Sequence, residues 1–196
     1  MSERLRYHQM LVSPYVGGGA KLAIELHSYA VATRGPVSGL LLPLGAEAER
    51  AALERRAPFT DYRLDRLMSA NRLCAGLENL RLYCKLYRHG AGTIHVHSPF
   101  VYAAARPFIG AARLKSILHI HLAFNTEQLQ WPLRAPPNLI IVCAEFMRPA
   151  VEAALPALRA TRTRVRVILN AIDTARFFPA DHRAAKVKLG IPQDMP

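Results

Sequence analysis

Thr93-Ile94-His95-Val96-His97-Ser98-Pro99 is the stretch on which the reading of this chain turns. Gly90 and Gly92 close what precedes it, and the residues Thr93 to His97 have the length and composition of a strand. Ser98 then has the side chain of a helix N-cap, and Pro99 stands at the first helical position, where a missing N–H costs nothing. A strand that passes straight into a helix cannot fold back as a hairpin. It predicts a crossover connection to a parallel neighbour. The helix runs to about Ala112, and the next strand spans Ser116 to His121.

The same alternation extends both ways. Toward the N-terminus come a strand from Tyr7 to Val12, a loop from Pro14 to Gly19 and a helical segment from Ala20 to Arg34. Leu22, Leu26 and Tyr29 mark its apolar face, and Gly35-Pro36 ends it. A strand at Val37 to Leu42 follows, then helices at Glu47 to Arg56 and Leu64 to Arg88. In the longer of these, Leu73, Leu77, Leu80, Cys84 and Tyr87 recur at helical spacing and predict the buried face, opposite a basic outer face. Toward the C-terminus, Trp131-Pro132 and Pro136-Pro137 predict a loop over Asn125 to Pro137. Then come a strand at Leu139 to Cys143, a helix from Phe146 to Leu158 and a strand at Val165 to Leu169. A last short helix, capped by Asp181, ends at Gly190. The predicted class is α/β: a doubly wound, mainly parallel sheet of about six strands with helices on both faces. Ligands of such sheets bind beyond the carboxyl ends of the strands.

The 196 residues carry 26 Lys and Arg against 14 Asp and Glu, a net charge of +12, and 51% are apolar. That composition excludes disordered and collagen-like classes, and the length sustains a core without disulfides. Three dispersed cysteines, Cys74, Cys84 and Cys143, make neither a disulfide framework nor a thiolate zinc site. Neither a bilayer-spanning run nor an export signal is legible, so the expected location is cytoplasmic. The positive charge favours polyanions: an anionic membrane face, with peripheral contact, or a phosphorylated small molecule. Nucleic acid is disfavoured, because no recognised motif accompanies the charge and no aromatics interleave with the basic run from Arg148 to Lys188.

Several strand ends carry residues with chemistry. Gly17-Gly18-Gly19 precedes a helix and reads either as a phosphate cradle of backbone amides or as a tight strand-to-helix turn. His95 and His97, like His119 and His121, stand two apart and so point to one face of a strand. A metal site of four histidines is geometrically conceivable if the two strands are neighbours. No carboxylate follows at ligand spacing, however, and the expectation is no metal. The histidines then either reach into the crevice, His121 foremost, or are structural. Glu145 at a helix start and the turn Asn170-Ala171-Ile172-Asp173 complete the set, each with a local explanation in the helix dipole or an Asx turn.

Taken in order, Gly18-Gly19-Ala20 opening a helix, His95-Val96-His97-Ser98, a strand ending in His121, and Val142-Cys143-Ala144-Glu145 resemble the N-terminal domain of family 4 glycosyltransferases of the GT-B fold. The segment Arg166 to Pro179 resembles that family's Asn-Gly-Val-Asp tract. Ala171 stands where the family has glycine, Ala144 where it often has serine, and Leu189-Gly190-Ile191-Pro192 resembles the start of the second half. The resemblance implies a Rossmann-like acceptor-side domain over residues 1–180, with 181–196 a linker or the start of a C-terminal donor domain. It implies retaining transfer from a nucleotide-sugar to a glycan or lipid acceptor, without cofactor or metal. Gly18 and Gly19 would approach the donor diphosphate, and His121 would sit at the reacting sugar as the catalytic residue. Gly17, His97, Glu145, Asn170 and Asp173 would line the cleft. The family's paired glutamates belong to the missing half, so this chain alone is expected to be inactive. The alternative is a non-catalytic Rossmann-like module that binds a phosphorylated ligand or a partner.

Overall fold

The fold follows from which residues can leave water on both sides of a sheet. A computed structural model describes residues 7–15, 17–34, 38–54, 56–87, 92–157, 162–170, 181–192 and 194–195. In chain order they form β1 (Tyr7–Met10), α1 (Gly18–Arg34), β2 (Ser38–Pro43), α2 (Ala46–Glu54), β3 (Phe59–Tyr62), α3 (Leu64–Leu67) and α4 (Arg72–Tyr87). There follow β4 (Thr93–Val96), α5 (Pro99–Ala111), β5 (Lys115–Ile120), α6 (Thr126–Leu133), β6 (Leu139–Val142), a 3-10 turn (Glu145–Met147), α7 (Arg148–Ala154), β7 (Arg164–Val167) and α8 (His182–Leu189). All the strand pairs are parallel, in the order β3-β2-β1-β4-β5-β6-β7. The direction of progression reverses between β1 and β4, which is where doubly wound sheets open their ligand crevice.

The central strands are covered on two sides, whereas edge strand β7 leaves Arg164 and Arg166 exposed. Met10, Ile94, Val96, Leu118, Ile120, Ile140 and Val142 face one way, into a core closed by Leu82 and Leu86 of α4, Phe108 of α5, Leu129 of α6 and Val151 of α7. Leu11, Leu40 and Leu42 face the other way, onto Ala23 and Ile24 of α1 and Ala51 and Ala52 of α2. Each fully buried Leu or Ile contributes about 1.5–3 kcal/mol of transfer free energy. The predicted doubly wound parallel sheet is the one observed.

The sequence reading puts Leu22, Leu26 and Tyr29 on the apolar face of α1, but the helix buries Ala23, Ile24 and His27 and leaves Leu26 and Tyr29 exposed. Three further details differ. A seventh strand, β3, pairs with β2 at the sheet edge. Its four residues, Phe-Thr-Asp-Tyr, are too short and too polar to stand out between two helices. The predicted loop after Asn125 holds α6 instead. Asn125 caps it by accepting from the Gln128 N–H while Gln128 returns a bond to the Asn125 N–H, and this capping box outweighs Pro132.

The third difference is a rotation. The helix predicted from Leu64 breaks at Met68 into α3 and α4, and α4 buries Glu78, Asn79, Leu82 and Leu86 while Leu73, Leu77, Leu80 and Cys84 face solvent. Polar neighbours explain it. The Glu78 carboxylate accepts from the Arg63 N–H at 2.8 Å. The Asn79 amide is inserted into α5, where it donates to the Ala104 carbonyl at 3.1 Å and accepts from the Phe108 N–H at 3.2 Å. Pro107 strains this turn of α5, and Asn79 supplies partners to backbone groups there.

The other capping expectations are met. Ser98 accepts from the Val101 N–H, with Pro99 at the first turn of α5, and Asp181 accepts from the Arg183 N–H at the start of α8. Gly190 takes the left-handed conformation, φ 67°, that ends α8.

Candidate functional site

Three strands deliver the site at their carboxyl ends. The chain leaving β1 passes through Leu11 and Val12 to Gly17, the chain leaving β4 through His97 and Ser98 to Phe100, and the chain leaving β5 through His121 and Leu122 to Phe124. Together they enclose a cavity of about 560 Å³. Its floor is polar, made by His97 and His121, and its walls are apolar, from Val12, Phe100 and Phe124. Phe100 and Phe124 meet edge to face with centroids 5.5 Å apart.

Gly17 and Gly19 are on its rim, at the start of α1. A helix start offers free N–H groups and a partial positive charge, so this rim can receive an anion. The absence of a side chain at Gly19 also makes room for an imidazole. A Cβ built there would lie 3.0 Å from Cδ2 and 3.3 Å from Nε2 of His121.

Behind the cavity the imidazoles form one layer. His95 pairs with Gln9 across β1 and β4, so both point toward the α1 side of the sheet, and the β4 to β5 register brings His119 and His121 to the same side. His97 is the hub. Its Nε2 is 2.7 Å from the Gln9 Oε1, an acceptor, so the proton sits on Nε2. Its Nδ1 therefore accepts from the Nε2–H of His121 at 2.9 Å. This leaves Nδ1 of His121 as the unprotonated nitrogen, able to accept from a substrate hydroxyl. The Tyr7 hydroxyl bonds His95 Nδ1. Neighbouring rings stack, His95 on His97 at 4.4 Å and His97 on His121 at 5.2 Å between centroids.

Burial keeps these rings neutral. It pushes His95 down to about 4 and His119 to about 3, with further depression from His121. His97 lies well below the ordinary imidazole range for the same reason, and His121, half-buried, is lowered by burial too. Desolvation also raises the Tyr7 phenol.

Of the residues singled out from sequence, Gly17, Gly19, His97 and His121 line this one cavity. Gly18 lies between them as the exposed first residue of α1, with open space where a Cβ would be. Glu145 is exposed after β6 and paired with Arg148 at 3.7 Å, apart from the cavity lining. Asn170 is exposed beyond β7, and Asp173 is outside the described residues. The sequence reading missed Gln9 and Tyr7. Their signal was two polar positions, spaced by two, in a strand otherwise destined for the centre of the sheet.

No protein-family model matches the chain, and no curated protein matches it. Among solved structures it is similar to Anabaena Alr3699/HepE in complex with UDP and glucose, at 15% identity and a TM-score of 0.68 over 95% of this chain and 50% of that one. A glycosyltransferase from Rickettsia africae matches at 12% identity and a TM-score of 0.65, over 98% of this chain and 51% of that one. Acinetobacter baumannii MurG matches at 13% identity and a TM-score of 0.53, over 88% and 47%. The chain spans about half the length of each, and its Rossmann-like α/β fold is the one found in half of these GT-B proteins.

Proposed function

We propose that this chain is the acceptor-side half of a retaining GT-B glycosyltransferase of the family 4 type, with residues 1–180 forming the domain and 181–196 leading into a donor-binding half. The observation that supports it most directly is the meeting of the Gly17–Gly19 helix start and His121 at one cavity on the carboxyl edge of the sheet. The likeness to structures holding UDP and glucose supports a nucleotide-sugar as donor.

In this reading the N–H groups at the start of α1 face the donor diphosphate and offset the charge that grows on it as its bond to the sugar breaks. The acceptor hydroxyl, a glycan's or a lipid's, forms the new bond to the same sugar carbon and gives up its proton to the departing diphosphate oxygen. His121 Nδ1 orients a hydroxyl of the reacting sugar, and the Gln9–His97 pair holds that ring in the required tautomer. The apolar walls exclude water, which would otherwise compete as acceptor. Basic groups of the second half complete the diphosphate site, the reaction calls for no resident cofactor, and the chain alone does not turn over.

The charge of +12 and the exposed Leu73, Leu77 and Leu80 stripe of α4 support a place against the cytoplasmic face of an anionic membrane. Among the described residues no helix is long and apolar enough to cross a membrane.

The test is turnover by the complete two-lobed polypeptide, screened by mass spectrometry against nucleotide-sugars and glycan or lipid acceptors. The expected result is sugar transfer that falls about 100-fold or more in His121→Ala with the circular dichroism spectrum unchanged. Nucleotide binding without transfer to any acceptor would favour the non-catalytic module instead.

A further inference from the structure

The imidazole layer contains more histidine than the cavity uses. His121 and His97 border the cavity, whereas His95 and His119 lie behind it, buried to 4% exposure each. Both ring nitrogens of His119, and Nε2 of His95, are buried without a hydrogen-bond partner. A buried polar atom left unpaired costs about 1–3 kcal/mol, so three on two facing rings call for a ligand. One ligand atom from each of His95, His97 and His119 lies within 4.8 Å of the others. Two come from alternate positions of one strand and one from its neighbour, an arrangement that rigid backbone holds in place.

The geometry points to a binding site for a divalent transition-metal ion of the zinc type, held by the imidazoles of His95, His97 and His119. Nitrogen donors with no carboxylate among them suit Zn²⁺, Co²⁺, Ni²⁺ or Cu²⁺ and not Mg²⁺ or Ca²⁺. Zinc–nitrogen bonds of about 2.0–2.1 Å place ligand nitrogens about 3.3 Å apart in a tetrahedron, so nitrogens within 4.8 Å of one another draw together by up to about 1.5 Å to close on an ion. The outer contacts are already in place. With His95 Nε2 on the metal, its Nδ1–H donates to the Tyr7 oxygen, and the Nε2–H of His97 donates to Gln9, leaving His97 Nδ1 for the ion. His121 Nε2, 2.9 Å from that same nitrogen, is the neighbouring donor for a fourth position. The site departs from the metal-free expectation drawn from the sequence, and an ion there takes the place of the hydrogen bond between His97 Nδ1 and His121 Nε2, so the metal-bound state and the tautomer invoked for transfer are alternative states of the same rings.

The experiment uses the untagged chain, stripped with chelator and titrated with Co²⁺ and Zn²⁺ at neutral pH. The expected result is one ion bound per chain, visible absorption bands of four-coordinate Co²⁺, and a rise in melting temperature with Zn²⁺. His119→Gln and His95→Asn, near-isosteric to limit misfolding and checked by circular dichroism, should each weaken binding by more than about 100-fold. Tyr7→Phe should weaken it by about 10-fold through lost ring orientation. His182→Ala, on exposed α8, should bind as the parent does. No stoichiometric Co²⁺ binding by the parent chain would overturn the site, as would unchanged affinity in a folded His119→Gln.

Discussion

The His121 ring lies against the first turn of α1 so closely that a methyl group on Gly19 would meet its Cδ2 at 3.0 Å. A helix start and an imidazole thus share one small volume, and the glycine is what lets them. Gly19→Ala gains about 0.4–1 kcal/mol by restricting the unfolded chain but presses on the ring. The expected outcome is a melting temperature within a few degrees of the parent and a displaced His121, read from histidine ring resonances by NMR. Gly19→Val should displace it further and, in the complete polypeptide, lower turnover more than Gly18→Ala, since open space surrounds Gly18.

The rotation of α4 gives a test by stability alone. Leu82 is fully buried and Leu77 is 55% exposed. Leu82→Ala should therefore cost about 2–5 kcal/mol in urea unfolding, and Leu77→Ala about 0.5 kcal/mol or less. Equal costs would mean that the leucine stripe is the buried face after all.

Asn79 supplies hydrogen bonds to two backbone groups of α5, on Ala104 and Phe108, beside Pro107. Asn79→Leu keeps the volume and removes both bonds. The expected loss is about 1–3 kcal/mol, with the helix content of α5 reduced near Pro107 by amide exchange. Asn79→Asp, which retains the acceptor for the Phe108 N–H, should lose less at that amide than at the Ala104 carbonyl.

Acid should destabilise the metal-free chain through the imidazole layer. Above about pH 6.5 the rings of His95 and His119 are neutral whether folded or not, and they contribute nothing to the pH dependence. Below it the unfolded chain takes up protons that the folded one refuses until about 4 for His95 and about 3 for His119. Stability therefore falls as pH drops through that window, with a limiting slope of about 1.4 kcal/mol per pH unit for each ring. The Tyr7 hydroxyl bonds His95, the His97 ring lies against both His95 and His119, and the His121 ring lies against His119. Urea midpoints between pH 7 and 5, in chelator, check it: the slope should be shallower in the His95→Asn, His119→Gln double variant than in the parent.

What the sequence determined by itself was local. Ser98-Pro99 started a helix, Asp181 and Gly190 bounded another, and strand-length apolar runs separated by helical ones demanded a parallel sheet covered on both faces, because caps, turns and periodicity act over a few residues. Only the tertiary structure decided which face of α4 is buried, since the claims of Glu78 and Asn79 come from Arg63 and from α5, far along the chain. It also decided that Gln9, His97 and His121 form one hydrogen-bonded row, with His95 and His119 stacked beside it. Strand order and register set those distances, and neither is written in the residues of a single strand: β1 and β4 are neighbours across 88 residues of chain because the sheet reverses direction there.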